Sequence, residues 1–300
     1  LIADGALDQH GIEALADRLG VSSRHLRRLF EQHVGASPQA IAHTQRLNFA
    51  KTLIDQTSLP MADVAVAAGY GSTRRFNDAV QKAWGKSPRA LRRQRTRGRR
   101  QDELVLRLPY YEPYDWQTIL GFFRERAIPG VEQVGDASYR RSVRTEGGVA
   151  EIEVRNKGGY LQAAVRGVEP RHLFPLVQTL RDVFDTDAPI ADISAVLGED
   201  PMLRRLLRKH PGVRVPGVFD RFEHIVRAIL GQQVSVRAAT TLAGRLAQRY
   251  GDPVPGAAGG DSLTHLFPQP GRLVRARVES LGITKSRAAT IRRVASAVHS

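Results

Sequence analysis

Two adjacent glutamines, Gln232 and Gln233, offer the most specific chemistry in this chain of 300 residues. They follow Gly231, and apolar residues flank the three on both sides, with Ile229 and Leu230 before them and Val234 after them. Glycine permits a sharp turn or a close backbone approach. Paired amides can hydrogen-bond base edges or fill the gap that a displaced base leaves. The alternative is a solvated helix junction, because most polar pairs at helix ends face solvent.

Arginine, asparagine and hydroxyl side chains form a second chemical set in the first hundred residues. Arginine can contact guanine bidentately, asparagine can contact adenine, and hydroxyl groups suit phosphates. The residues with this predicted DNA-contacting role are Ser23, Arg24, Arg27, Arg28, Ser72, Thr73, Arg74, Arg75 and Asn77. The alternative for this region is a plain helical bundle whose arginines are solvated.

Charge and cysteine content narrow the classes of function. The net charge of +15 and the pI of about 10.9 suit an anionic polymer or an anionic membrane surface. Without cysteine, the chain has no disulfide, no thiolate zinc site and no cysteine nucleophile. The nine histidines lack metal-ligand spacing, so no metal site is predicted. A membrane-surface binder rests on charge alone, and no apolar run of about 18 residues is present.

The DNA-contacting set lies on a repeated unit. Residues 12–38 match residues 61–88 with an offset of 49 positions that becomes 50 after the turn, and Gly20 matches Gly69. Each copy has the pattern helix, glycine-containing turn, helix, which predicts two helix-turn-helix motifs. Ser22 and Ser72 are predicted to cap the second helix of each copy.

The glutamine pair is positioned by two predicted amphipathic helices within residues 214–251. Apolar residues recur there every three or four positions, which is the spacing of one buried helix face. The predicted buried positions are Phe222, Ile225, Val226, Ile229 and Leu230 before the pair, and Val236, Ala239, Leu242, Ala243, Leu246 and Ala247 after it.

The segment between these two regions has a mixed pattern. Six of the nine residues at 92–100 are arginine, which is typical of a solvated linker. Alternating apolar residues then predict strands, and a helical pattern predicts two helices, in a small antiparallel sheet backed by helices. The predicted strands are residues 103–110, 138–144, 150–155 and 160–165, and the predicted helices are residues 115–127 and 170–184.

The repeated unit, with its closing run GKSPRALRR, resembles the DNA-binding domain of AraC-type transcription regulators. In that family two helix-turn-helix motifs, joined by a linker helix at residues 41–55 here, reach successive segments of the major groove. The combination found in this chain resembles Ada adaptive-response proteins. That resemblance implies an upstream zinc–cysteine methyl-acceptor domain, while no cofactor is expected within these 300 residues.

The run PYYEPYDWQTILGFFRERAIPGVEQV and residues 214–251 resemble AlkA-type DNA-3-methyladenine glycosylase II, of the helix-hairpin-helix superfamily. The resemblance implies hydrolytic excision of alkylated bases. It places Phe122 and Gln232 beside the flipped base and makes Gln233 the residue that enters the minor groove and fills the gap. A core position is the alternative for Phe122, because Phe123 beside it could take either role. A cationic alkylated purine would suit an aromatic face.

One part of the family pattern is missing from this sequence. The glycine-rich hairpin turn and the aspartate that stabilises the oxocarbenium-like sugar have no match here, so no catalytic residue is assigned. Asp220 and Glu223 are predicted to be structural or surface groups. We expect the aspartate beyond Ser300 and a chain that is truncated at both ends, since it begins at Leu1 within an apolar pattern.

Together these patterns predict a mostly α fold with an α+β middle domain. The predicted parts are an AraC-type double helix-turn-helix domain at 1–92, a linker at 93–101, an AlkA-type N-terminal α+β domain at 102–212 and a partial all-α glycosylase domain at 213–300. The expected partners are an operator and alkylated duplex DNA, not a membrane, in the bacterial cytoplasm at the nucleoid. The alternative function is a transcription regulator whose glycosylase-like half is catalytically inactive.

Overall fold

The computed structural model describes residues 6–93, 103–257 and 263–299. These residues fall into two compact units. The first unit comprises Leu1–Leu106 with Val168–Thr179, and the second comprises Arg107–Gly167 with Leu180–Ser300. The arginine-rich linker predicted at 93–101 lies, apart from the backbone of Arg93, outside the described residues, and the predicted domain boundaries remain predictions.

Within residues 6–93 the first unit is helical, as the repeat predicts. Its helices are α1 (Ala6–Arg18), α2 (Ser23–Val34), α3 (Pro38–Gln56), α4 (Met61–Ala67), α5 (Thr73–Trp84) and α6 (Pro88–Arg93). The pairs α1–α2 and α4–α5 are the two predicted helix-turn-helix motifs, and α3 is the predicted linker helix.

Capping explains why α2 and α5 begin and end at equivalent residues. The hydroxyl groups of Ser22 and Ser72 each accept a hydrogen bond from the backbone N–H three residues later, at 3.2 and 3.3 Å. Gly35 and Gly85 end the two helices in the left-handed conformation, at φ 71° and 68°, which glycine adopts at little cost. The predicted serine caps are therefore confirmed.

The helix α3 is the structural centre of the first unit. It contacts α1 in the first motif, α4 and α5 in the second, and also α6. Its side chains Ala50, Leu53 and Ile54 are fully or almost fully buried. Such a shared apolar helix fixes the two motifs relative to one another.

A five-stranded sheet forms the middle of the chain, with strand order β1-β5-β4-β3-β2. The strands are β1 (Glu103–Pro109), β2 (Glu132–Val134), β3 (Ser138–Thr145), β4 (Gly148–Asn156) and β5 (Tyr160–Arg166). The pairs β2–β3, β3–β4 and β4–β5 are antiparallel. The sequence did not predict β2, because three residues are too few to show an alternating pattern.

The helices from residue 107 onwards include the two that flank the glutamine pair in the sequence. The helices of this region are α7 (Trp116–Arg126), α8 (Leu173–Val183), α9 (Ile190–Leu197), α10 (Pro201–Lys209), α11 (Arg221–Gly231), α12 (Val236–Tyr250), α13 (Pro270–Leu273) and α14 (Lys285–His299). One apolar cluster, which includes Val226, Leu246, Leu273 and Ile291, joins α11, α12, α13 and α14. This cluster fixes the helices on either side of the glutamines.

Candidate functional site

A cavity of about 290 Å³ lies within the second unit. Its walls come from α7, from the strands β2 and β3, from the loop before α11, and from α11 and α12. Among the residues that line it are Phe122, Val218, Phe219, His224, Ala228, Val236 and Ala239. Twelve of the twenty lining residues are apolar or glycine, and eight are polar or charged, so the cavity combines apolar surface with polar groups, as small-molecule pockets do.

Two consecutive phenylalanines of α7 take different positions at this cavity. Phe122 keeps 39% of its surface exposed, whereas Phe123 keeps 7%. The ring centroid of Phe123 lies 4.8 Å from that of Tyr139 and 5.6 Å from that of Phe184. Successive helix residues point about 100° apart, so only one of the pair can enter the aromatic core. Phe122 is left with an accessible ring at the cavity.

The accessible ring of Phe122 already carries a cation. The guanidinium carbon of Arg126 lies 4.1 Å from the ring centroid. The same guanidinium donates to the backbone carbonyl of Phe122 at 3.2 Å and to the Glu125 carboxylate at 3.1 Å. The two residues lie one helix turn apart, and their arrangement is that of a cation–aromatic contact.

The floor of the cavity is a buried network of charged side chains. Arg141 donates to Glu132 at 2.8 Å and pairs with both carboxylate oxygens of Glu223. Arg227 lies 3.3 Å from Glu132 and 3.2 Å from Glu223. The Tyr139 hydroxyl donates to Glu132 at 2.6 Å. Two arginines and two carboxylates balance in charge, and they tie β2 and β3 to α11.

The network keeps Glu132 ionised. Burial alone would raise the pKa of Glu132, but the charges of Arg141 and Arg227 and hydrogen bonds from Tyr139 and the Ile128 N–H outweigh burial. The pKa of Glu132 is therefore lowered. A buried carboxylate held in this way stabilises the fold and has no proton to donate at neutral pH.

The remaining carboxylate that lines the cavity also has a structural role. Asp220 caps the N-terminus of α11, because its side chain accepts a hydrogen bond from the backbone N–H of Glu223 at 2.6 Å. Among the residues that the structure describes, the three carboxylates that line the cavity thus have structural contacts: Asp220 caps α11, and Glu132 and Glu223 pair with buried arginine.

The glutamine pair forms the loop between α11 and α12, beside the cavity. Gln232 is the C-cap residue directly after α11, and Gln233 adopts the left-handed conformation with φ 54°. Both side chains are exposed. The flanking Gly231 and Val234 line the cavity, whereas Gln232 and Gln233 are not among its lining residues. Of the two predicted base-pocket residues, the structure brings Phe122 to the cavity and leaves Gln232 at its edge.

The predicted DNA-contacting residues lie on the outer faces of α2 and α5. Leu26 in α2, and Phe76 and Val80 in α5, are buried, so the apolar faces are separate from the polar ones. On α2, Ser23 is half-buried, while Arg24, Arg27 and Arg28 are exposed; at α5, Ser72, Thr73, Arg74, Arg75 and Asn77 are exposed. Two of the α2 arginines have neighbours within the unit. Arg27 lies 3.7 Å from Glu13, and Arg28 lies 3.0 Å from the His25 ring nitrogen.

Within the described ranges, no helix is long and apolar enough to cross a membrane. Across those same residues, no group of three or more histidine, aspartate or glutamate side chains is arranged to hold a metal ion.

The buried network was not foreseen from the sequence. Arg141 and Glu223 are 82 positions apart, and no local pattern marks such a pair. The one indirect signal was Arg141, a charged residue that shares a strand face with the apolar Tyr139 and Val143 in the strand predicted at 138–144.

Comparison with known proteins gives matches along most of the chain. A model described as "AlkA N-terminal domain" matches residues 105–220, and one described as "Helix-turn-helix domain" matches residues 15–94. A protein of Mycobacterium tuberculosis, named "Probable bifunctional transcriptional activator/DNA repair enzyme AlkA", is 39% identical over 296 residues. The match covers 97% of this chain and 59% of that protein.

The second part of the chain has further relatives. "DNA-3-methyladenine glycosylase 2" of Escherichia coli is 35% identical over 198 residues, which cover 63% of this chain and 66% of that protein. The solved structure of a 3-methyladenine DNA-glycosylase from Archaeoglobus fulgidus is similar in fold, with a TM-score of 0.56 and 21% identity. It covers 63% of this chain and 66% of its own. The chain thus spans about three fifths to two thirds of the length of these proteins.

Proposed function

The chain belongs to the AlkA-type family in which an AraC-type helix-turn-helix domain precedes the glycosylase fold, and from this we propose that the protein binds DNA through its first unit and takes part in excising alkylated bases through its second. The expected substrate is duplex DNA with alkylated bases such as 3-methyladenine. The expected reaction is hydrolysis of the N-glycosidic bond. An operator sequence is the proposed partner of the first unit, in the bacterial cytoplasm at the nucleoid.

One observation carries the glycosylase part of the proposal: an open cavity with an accessible aromatic ring lies beside an exposed glutamine loop. Glycosylases must take their target base out of the helix to reach it. A flat base can stack on Phe122, and a positively charged alkylated purine can take the place that Arg126 now holds on that ring. Gln233 is exposed next to the cavity and is the proposed residue that fills the gap in the stack.

The cavity's own carboxylates are not proposed as the catalytic group. Glycosyl transfer through an oxocarbenium-like state needs a carboxylate near the sugar. Glu132 and Glu223 are held in the buried network, and Asp220 caps α11. The chain's own residues therefore supply base binding and DNA distortion in this proposal.

The DNA-reading part of the proposal rests on the outer faces of α2 and α5. Second helices of such motifs enter the major groove, where arginine and asparagine can distinguish base pairs. The exposed Arg74, Arg75 and Asn77 on α5 fit this role. The net charge of +15 adds a general attraction to phosphate.

Release of 3-methyladenine from alkylated duplex DNA tests the enzymatic proposal. We would compare the 300-residue chain with the product of the uninterrupted reading frame. Release by the longer product alone agrees with a catalytic carboxylate outside these residues. Release by the short chain would overturn our account of the three cavity carboxylates.

A regulator with an inactive glycosylase-like half is the second candidate. It is favoured by the commitment of Asp220, Glu132 and Glu223 to structural contacts. If neither protein releases base while the longer one still binds an operator, this second function replaces the first.

A further inference from the structure

The loop that carries Gln233 is poorly held by its own backbone. It occupies residues 232–235 between α11 and α12. Gln233 has φ 54°, a conformation that side-chain-bearing residues rarely adopt. The hydrogen bond from the Gln232 N–H to the Ile229 carbonyl is long, at 3.4 Å. Something outside the loop must help to keep this conformation.

An arginine from α14 contacts the loop at its critical peptide group. Arg287 is half-buried, and its guanidinium donates a hydrogen bond to the backbone carbonyl of Gln232. That carbonyl belongs to the peptide bond that directly precedes the left-handed Gln233. A hydrogen bond from a charged donor is stronger than one between neutral groups. The contact therefore fixes the plane of the peptide that sets the direction of Gln233.

A second arginine makes the reverse connection. Arg245 of α12 donates to the backbone carbonyl of Leu281 at 3.1 Å, in the turn that precedes α14. An arginine of α14 thus binds the loop before α12, and an arginine of α12 binds the turn before α14. This pair of contacts links the loop of Gln233 to the apolar cluster that α12 and α14 share.

We propose that Arg287 is a positioning residue that holds Gln233 ready to enter the DNA helix. The inference deepens the proposed function, because it depends on Gln233 filling the gap left by the flipped base. A loop already fixed in its bound conformation loses less freedom on binding than a mobile one. Removing the Arg287 contact releases the loop, so flipped DNA is held less tightly even though Gln233 is intact.

A phosphate contact is the competing role for Arg287, and it has a different signature. Loss of a residue that only binds phosphate weakens binding to damaged and undamaged DNA alike, and it lowers the salt dependence of binding. A positioning residue acts selectively on the distorted complex. Arg293 on the same helix is an exposed arginine whose guanidinium contacts only a neighbouring hydroxyl, that of Thr290 at 3.4 Å, among the contacts seen in the described residues. It supplies the matched control for loss of charge.

The experiment uses the 300-residue chain and a duplex with 2-aminopurine beside an abasic-site analogue. Fluorescence reports unstacking, and titrations give the affinity for this duplex and for an undamaged one. The variants are Arg287→Gln, Arg287→Lys, Arg293→Gln and Gln233→Ala. We expect Arg287→Gln to bind the abasic duplex about tenfold more weakly with reduced fluorescence, and to bind undamaged DNA as Arg293→Gln does. Arg287→Lys keeps a charged donor and should restore most of the signal.

The outcomes separate this inference from the proposed function. If Gln233→Ala equals the parent, the gap-filling role itself fails. If Gln233→Ala loses the signal while Arg287→Gln matches Arg293→Gln on both duplexes, only the positioning role of Arg287 is overturned. Circular dichroism of each variant reports folding, and Arg287→Lys provides the second measurement should Arg287→Gln fold poorly. No restoration by lysine would also count against the proposed hydrogen bond.

Discussion

Neighbouring residues with the same side chain can have opposite roles, and Phe122 and Phe123 illustrate this. The family resemblance predicts that Phe122 lies at the base pocket, with a core position as the alternative, because Phe123 beside it could take either role. Both side chains line the cavity, but Phe123 is almost buried in an aromatic cluster with Tyr139 and Phe184, whereas Phe122 keeps an exposed ring. This packing favours Phe122 as the base-binding residue, which stays a prediction.

This difference predicts that the two phenylalanines separate binding from stability. Phe123→Ala should lower the free energy of unfolding by about 3–5 kcal/mol, because it empties a buried site. Phe122→Ala should cost less than about 1.5 kcal/mol but weaken binding of a cationic alkylated purine by about three- to thirtyfold, through loss of the cation–aromatic contact. Urea denaturation and calorimetric titration measure the two effects. Equal stability losses would contradict the packing described for Phe123.

The buried network at the cavity floor predicts a dependence of stability on acid. The pKa of Glu132 is lowered in the folded protein, so its contribution is complete above the ordinary glutamate value of 4.5. That contribution disappears as the pH falls through the lowered folded-state pKa. Glu132→Gln should cost about 3–5 kcal/mol at neutral pH, since Arg141 loses a buried charged partner.

Urea midpoints measured from neutral pH down to about pH 3 test this prediction. The parent should lose more stability on acidification than Glu132→Gln does. The exposed pair of Arg171 and Glu169 supplies the control, because Glu169→Gln should change stability by less than about 1 kcal/mol. Parallel acid profiles for parent and Glu132→Gln would contradict the predicted role of Glu132.

At the scale of elements, sequence patterns located most helices and strands but not all their ends. The repeat located both helix-turn-helix motifs and their serine caps, because caps and glycine turns are local features. The sequence pattern of residues 270–279 predicts a single helix, which is too long. The α-helix α13 ends at Leu273, and a 3₁₀ turn follows at Val278–Leu281. The predicted helical pattern did not distinguish the two.

Two glycines show how context sets the effect of one added methyl group. Gly121 lies within α7, and a Cβ there would meet nothing within 4 Å, so Gly121→Ala should raise the free energy of unfolding by about 1 kcal/mol. At Gly251, which follows α12, a Cβ would lie 2.1 Å from the Leu266 carbonyl oxygen and 2.4 Å from that of Ala247. Gly251→Ala should cost about 2–3 kcal/mol. Thermal unfolding of both variants gives the comparison, and a neutral Gly251→Ala would show that the chain after α12 can move freely.

At the scale of the molecule, two units with separate chemistry occupy one polypeptide. Charge and the repeat predicted DNA binding by the first unit, and the resemblance of residues 109–134 and 214–251 to AlkA-type glycosylases implied the fold of the second. Contacts between residues far apart in sequence could not be predicted this way. They include the Arg141–Glu223 pair and the bond from Arg287 to the Gln232 carbonyl. These contacts depend on how elements pack, and periodicity within an element does not report it.

Because the two activities are assigned to different units, we expect a substitution in the first unit to weaken operator binding without changing unstacking by the second. Arg74 is exposed on α5, away from the buried face of Phe76 and Val80. Arg74→Ala should weaken operator binding by about 1–3 kcal/mol if the arginine reads a base edge. The unstacking signal on an abasic duplex of unrelated sequence should stay at the parent level. Lys82, exposed in the last turn of the same helix, gives the control for lost charge.

Gln233→Ala should show the reverse pattern, with operator binding kept and unstacking reduced. Gel-shift titrations measure operator binding, and 2-aminopurine fluorescence on the abasic duplex measures unstacking. Because the predicted contacts of Arg74 and Gln233 belong to different units, the double variant should lose both activities by the sum of the single effects. A departure from additivity greater than about 0.5 kcal/mol would mean that the two units act on DNA as one coupled site rather than independently.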